Sequence, residues 1–164
     1  MIFQPGDIFL TSNSQILDTL IIFFQKLWAK DGKAKYSHAG IITDRLGNTF
    51  ESLWKVRSRN INKACKGEKL LVARHKNMGI LFENAFLKIH DEYNNDRYPI
   101  YRLVFHMIPP LARLSTNKVV CSELVAKFLM YCGLIEYYNG VNPDDLHDYF
   151  KIAKGWNIVF EGKI

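Results

Sequence analysis

Three residues of this sequence have the chemistry of an activated nucleophile: Cys121, His38 and Glu51. Cys121 follows Val119-Val120 and opens an amphipathic segment. Its thiol therefore meets the positive end of a helix dipole and the unpaired amides of a first turn. Both favour the thiolate, the nucleophilic form. The same amides are placed to hold an oxyanion made by attack at a carbonyl. The competing reading of Cys121 is a small buried residue packing a strand–helix corner. His38 lies in Tyr36-Ser-His-Ala-Gly40, where Ala and Gly leave room for another group to come close. Taken alone, such a histidine is a satisfied core or edge residue. Glu51 stands between Phe50 and Ser52 in the next strand, where a carboxylate is out of character. Thiol, imidazole and orienting carboxylate together make the general thiol-hydrolase set.

One hairpin must position two of the three. Residues 36–43, with Ile41, Ile42 and Thr43, read as a strand, and residues 49–56 as its return. Between them Asp44-Arg-Leu-Gly47 reads as a turn, with Gly47 able to take positive φ. If residues 44–47 close a four-residue loop, Thr43 faces Asn48 and Glu51 faces Gly40. His38 and Glu51 are then diagonal neighbours on one sheet face, roughly 7–8 Å apart by Cα. A slip of one residue would put them on opposite faces.

The remaining elements follow from periodicity. Residues 8–11 read as a strand, after a turn at Gln4-Pro-Gly-Asp7. Ser12 and Gln15 have capping-box spacing, and apolar residues at 16, 17, 20, 21, 24, 27 and 28 predict a helix ending near Gly32. A strand at 70–73 precedes a helix over 80–93. The aromatic-rich stretch 98–108 reads as either type and stops at Pro109-Pro110. A helix over 121–132 turns Leu124, Val125, Phe128 and Leu129 inward and ends at Gly133. Pro143 takes the first position of a short helix, and residues 156–160 form a last strand. The expected class is α+β, a mainly antiparallel sheet packed with helices. No repeat, low-complexity stretch or linker interrupts it, so residues 1–164 read as a single domain.

Composition narrows the function classes. Apolar residues make up 48% and charged residues 23%, ordinary globular values that exclude disorder, collagen and a disulfide scaffold. No apolar run approaches the roughly 20 residues that cross a bilayer, and the N-terminal residues lack the pattern of a signal peptide. A cytoplasmic protein is expected, or one exported by another route. Cys65, Cys121 and Cys132 read as free thiols. Cys132 is eleven residues beyond Cys121 on the same helix, about 16 Å away, and reads as core. Cys65, among Lys63, Lys66 and Lys69, reads as an exposed loop thiol whose pKa the cations lower.

No metal or other cofactor is expected: there is no close cysteine pair and no HExxH, and Cys65 and His75 would need distant residues to complete a set. His75, His90, His106 and His147 read as structural, Glu123 as a first-turn acid favoured by the dipole, and Trp28 and Trp54 as packing or groove residues. A net charge of 22 − 16 = +6 favours anionic partners or surfaces. Its clusters, Lys30, Lys33 and Lys35, then Arg57, Arg59, Lys63, Lys66 and Lys69, read as a solvated basic face. No nucleic-acid motif accompanies the charge.

The order His, Glu, Cys would suit a circular permutation of the papain-like arrangement, in which the cysteine comes first. Four elements in order carry a resemblance: Pro5-Gly-Asp-Ile8, Tyr36-Ser-His-Ala-Gly-Ile41, Phe50-Glu51 and Val120-Cys-Ser-Glu-Leu-Val125. With Asn142-Pro-Asp-Asp-Leu146 they resemble the permuted NlpC-type papain-like family, which includes YiiX-like bacterial proteins and, more distantly, the lecithin–retinol acyltransferases. The resemblance spans residues 5–146. It implies a papain-like core with Cys121 as nucleophile, His38 as base and Glu51 as third member. It also implies an active-site tyrosine, best matched by Tyr98 in Asp96-Arg-Tyr-Pro99, with Tyr101 as competitor and the family's preceding glycine absent.

The expected function is a cysteine hydrolase cleaving an amide bond, a peptidase or amidase, with cell-wall peptides or acylated amines as substrates. A lipid-directed thiol acyltransferase or hydrolase keeps the chemistry and changes the substrate to an acyl lipid. A non-catalytic binding module on the same fold is the third reading.

Overall fold

A computed structural model of the chain describes residues 2–12, 35–52, 56–94 and 119–164. The expected helix after Ser12, the stretch 98–108 with Tyr98 and Tyr101, and His106, Trp28 and Trp54 lie outside the described residues.

The described elements are strands β1 (Ile8–Ser12), β2 (His38–Ile42), β3 (Asn48–Ser52) and β4 (Val56–Asn60), then helix α1 (Ile61–Ala64) and strand β5 (Lys69–His75). Helices α2 (Met78–Tyr93), α3 (Cys121–Tyr131) and α4 (Pro143–Ile152) follow, with strand β6 (Trp156–Lys163) last. The sheet runs β4-β3-β2-β1-β5-β6, and every pairing is antiparallel. The fold is mixed α+β.

Alternation along the strands gives the sheet two apolar faces. Ile8, Leu10, Ala39, Ile41, Phe50 and Leu71 point to the helices, where they meet Ala85 and Ile89 of α2 and Leu124, Val125 and Phe128 of α3. Phe9, Ile42, Leu70 and Val72 point the other way, against Phe3, Ile61 and Cys65. The four inward positions expected of α3 are all fully buried. Between α2 and α3, the Lys127 ammonium donates to Tyr93 Oη at 2.6 Å and to the Glu92 carboxylate, and lies 4.8 Å from the Tyr93 ring centroid. This caps the helix pair with a satisfied cation.

The β2–β3 hairpin has the register that local turn chemistry dictates. Asp44 Oδ1 accepts from Leu46 N at 2.9 Å and Asn48 N at 3.0 Å, and Gly47 takes φ +82°. Ile41 pairs with Phe50 and Ile42 with Thr49, which carries Gly40 opposite Glu51. The single return strand expected over 49–56 is two strands. β3 stops at Ser52, which pairs with Val56, and β4 folds back along it with Glu51 opposite Arg57. Continued apolar alternation through Trp54 and Val56 made one long strand the local reading; cross-strand pairing overrides it.

Candidate active site

The site forms at the end of the sheet where β2 begins and β3 stops. His38 is the first residue of β2 and Glu51 the penultimate residue of β3. Their side chains meet, with His38 Nε2 2.6 Å from Glu51 Oε2. Gly40 makes this approach possible: a Cβ there would lie 2.4 Å from the Phe9 ring and 3.0 Å from Glu51 Cβ. The Phe9 ring fills that space and sits edge-on to the His38 ring, with centroids 5.9 Å apart.

Cys121 is the first residue of α3, and its thiol interacts electrostatically with the His38 ring. Since Nε2 faces Glu51, Nδ1 is the ring nitrogen left for the thiol. The structure thus brings Cys121, His38 and Glu51 into one chain of contacts, with exposures of 7%, 7% and 0%. The helix start that carries Cys121 is held from several directions. Ser52 Oγ donates to Val119 O at 3.3 Å, and Ser122 Oγ donates to Val141 O at 2.7 Å. Glu123, read from sequence as needing no role beyond the dipole, is fully buried and accepts from Val120 N at 3.2 Å and Gly140 N at 2.9 Å. It ties the α3 start to the loop before α4.

Asn142-Pro-Asp-Asp145 completes that buttress. Asn142 Oδ1 accepts from Asp144 N and Asp145 N, both at 2.9 Å, while Asp145 Oδ2 accepts from Asn142 N at 3.0 Å. This is a reciprocal N-cap with Pro143 in the first turn. Its place in the fold is to hold the segment against which the cysteine helix begins.

Electrostatics favour a charged His38–Glu51 pair. Burial acts to lower the His38 pKa, but the charge and hydrogen bond of Cys121, followed by those of Glu51, outweigh it and raise it to about 10. Burial acts to raise Glu51, yet its bonds and charge interactions with His38 and Arg59 bring it down to about 2. Arg59 is the partner that sequence reading missed. Its Nε donates to Glu51 Oε1 at 2.9 Å and its Nη2 to Oε2 at 3.0 Å, while Thr49 Oγ1 donates to Oε1 at 2.8 Å. The charge cluster predicts a solvated basic face for Arg59; a diagonal step across β3 and β4 brings it onto the buried carboxylate instead. Lys63, Lys66 and Lys69 are exposed as expected.

Cys65 corrects a second expectation. It is 1% exposed, beneath Ile61 and beside Phe9, rather than in an exposed loop. Burial, then the charges of Glu51 and Glu68, push its thiol up to about 12 against the opposing pull of Arg59 and Thr11. The lysines that were to lower it turn outward. Cys132 is core, and burial pushes it up to about 12 as well. His75, His90 and His147 pack against Trp156, Phe50 and Tyr36 respectively. Tyr98 lies outside the described residues.

No protein-family model matches the chain, and no curated protein matches it. Among solved structures, the metalloprotein YiiX from Escherichia coli O157:H7 matches over 100% of both chains, with a TM-score of 0.65 and 15% sequence identity. The fold is YiiX-like. At that identity the likeness speaks for architecture alone, end to end. A metal fits poorly at the site described here. Among the described residues, no three His, Cys, Asp or Glu side chains are grouped so as to hold an ion. Both oxygens of Glu51 are engaged by the Arg59 guanidinium, so a cation there would meet like charge.

Proposed function

We propose that the chain is a cysteine hydrolase that cleaves an amide bond, with Cys121 as nucleophile, His38 as general base and acid, and Glu51 as the orienting carboxylate. The observation that supports this reading is the His38–Glu51 contact, with the Cys121 thiol acting electrostatically on the same ring. Glu51 fixes the ring through Nε2, and Nδ1 takes the proton of Cys121. Sγ then bonds to the carbonyl carbon, and the electron pair of the C=O bond moves to oxygen. The first-turn amides of α3 offer that oxyanion its hydrogen bonds. Collapse breaks the C–N bond, and the amine leaves with the proton held by His38. The remaining thioester is attacked by water, whose proton passes to His38, and Sγ leaves as the acid is released.

The chain order of these residues belongs with a circularly permuted papain-like core of NlpC type, and that finer architecture is part of the same proposal. Peptides and acylated amines, cell-wall peptides among them, are the substrates it implies. Among the described residues no helix is long and apolar enough to cross a membrane.

The deciding test is the pH dependence of Cys121 alkylation by iodoacetamide, followed by mass spectrometry of the Cys121 peptide. At neutral pH the unaltered chain should react at least about tenfold faster than His38→Ala, as expected for a base-activated thiol. Superimposable profiles would remove the catalytic pair, and with it the hydrolase.

A further inference from the structure

We infer that Arg57 is a substrate-binding residue whose guanidinium receives a carboxylate carried by the substrate beside Cys121 and His38. The inference rests on the proposed nucleophile and narrows its substrates to acyl compounds bearing a carboxylate near the scissile carbonyl.

Register places Arg57 at the site. Glu51 pairs directly with Arg57, and the hairpin register sets Gly40 on the other side of Glu51. Gly40, Glu51 and Arg57 thus form one row across three strands on a single sheet face. His38 lies on that face two residues along β2, towards the sheet end where α3 starts. Arg59 belongs to the next row, with Thr49, farther from that end. Adjacent strands are about 4.8 Å apart, so Arg57 roots about 10 Å from β2. An arginine side chain covers most of such a span.

Chemistry then separates the two arginines. Arg59 occupies both oxygens of Glu51, so the carboxylate directly opposite Arg57 is already taken. Among the described residues, Arg57 Nε is buried and has no hydrogen-bond partner. A buried N–H without a partner is costly, which is why such groups are scarce in folded proteins. The two other arginines seen to bind acids, Arg59 and Arg74, each grip a buried carboxylate through Nε and Nη2. Arg57 carries the same planar fork, which matches a carboxylate in two parallel hydrogen bonds, and among the described residues no acid bonds its Nε. An incoming substrate carboxylate supplies that acid without displacing Arg59. The amide chemistry proposed for Cys121 makes a peptide-type carboxylate the matching group.

The test uses the full chain and a set of N-substituted iodoacetamides. Each carries an arm of increasing length ending in a carboxylate, with a twin ending in a primary amide. Labelling of Cys121 is read by mass spectrometry, with circular dichroism confirming that every variant is folded. At one arm length the carboxylate probe should react about tenfold faster than its twin, the worth of one charge-assisted contact. Arg57→Gln should reduce that ratio to about one, and Arg57→Lys should retain part of it. Lys66→Gln, a change on the exposed basic face, should leave the ratio untouched. A carboxylate that confers no advantage, or an advantage that survives Arg57→Gln, overturns the proposal; so does a phosphate-ended arm that outpaces the carboxylate. The amide twin in His38→Ala reports separately on the nucleophile, so failure of the hydrolase reading would be seen apart from failure of Arg57.

Discussion

Asp7 and Glu51 are both fully buried, and each is forked by an arginine, yet they serve different ends. Arg74 donates to the two oxygens of Asp7 at 2.7 and 2.8 Å, and Gln4 N donates to Oδ2 at 2.8 Å. Arg74 also reaches Ile2 O at 2.9 Å, so that carboxylate staples the N-terminal turn to β5. Every partner there holds its proton permanently. Glu51 has the same fork from Arg59 and a hydroxyl from Thr49, but its Oε2 also meets the His38 imidazole. The arginine supplies rigidity and a fixed charge in both places. A titratable ring on the second carboxylate is what turns a staple into a candidate site.

Truncating either acid should produce the largest effect and bring the two regions together. Asp7→Ala and Glu51→Ala each leave a part-buried guanidinium without its carboxylate, and each should cost about 3 kcal/mol in a urea titration. If Glu51→Ala proved neutral, the fork on Glu51 would contribute nothing to folding and the parallel would be broken.

Acid should expose what the Glu51 cluster contributes. Its folded pKa, about 2, lies below the ordinary value of 4.5, so its stabilisation is present above 4.5 and is lost as pH falls through about 2. The amount is on the order of 3 kcal/mol. Glu51→Gln should therefore remove part of the steepness of acid unfolding. His38 has the opposite sign: raised from 6.5 to about 10, it stabilises fully below 6.5 and loses that contribution as pH rises through about 10. Its ring-proton titration by NMR should shift downward in Glu51→Gln and in Cys121→Ala; an unmoved midpoint would show that the contacts do not couple.

Function should separate the two acids next. Glu51→Gln should slow alkylation of Cys121 at neutral pH by about tenfold, since the ring loses its orienting charge. Asp7→Asn should leave that rate within about twofold. Equal slowing by both would mean that Glu51 acts only through stability. At the small end, Lys63→Gln and Lys66→Gln should change the unfolding free energy by less than about 0.5 kcal/mol, as expected for exposed lysines.

Much of the site was legible because its determinants are local. Asp44 and Gly47 set the hairpin, the hairpin sets the register, and period-2 alternation then puts His38 and Glu51 on one face. The apolar stripe of α3 and the cap at Asn142 are equally local, and they place Cys121 at a helix start and Pro143 just inside one. Arg59 was misplaced because the fold-back at Ser52–Val56 is a pairing decision between strands, carrying little signature in the residues themselves. Cys65 was misplaced because its neighbours in sequence are lysines and its neighbours in space are Phe9 and Ile61.

The sequence by itself picked out the thiol, imidazole and carboxylate of the candidate site, the hairpin that joins two of them, and the helix that begins with the third. Those features depend on short-range backbone preferences and on periodicity, which a linear chain displays. Only the tertiary structure decided which arginine holds Glu51, which has a buried N–H without a partner among the described residues, and which carboxylate is a staple. Such pairings depend on which strands become neighbours and on how many donors each buried oxygen can accept, and both are settled only when the sheet closes.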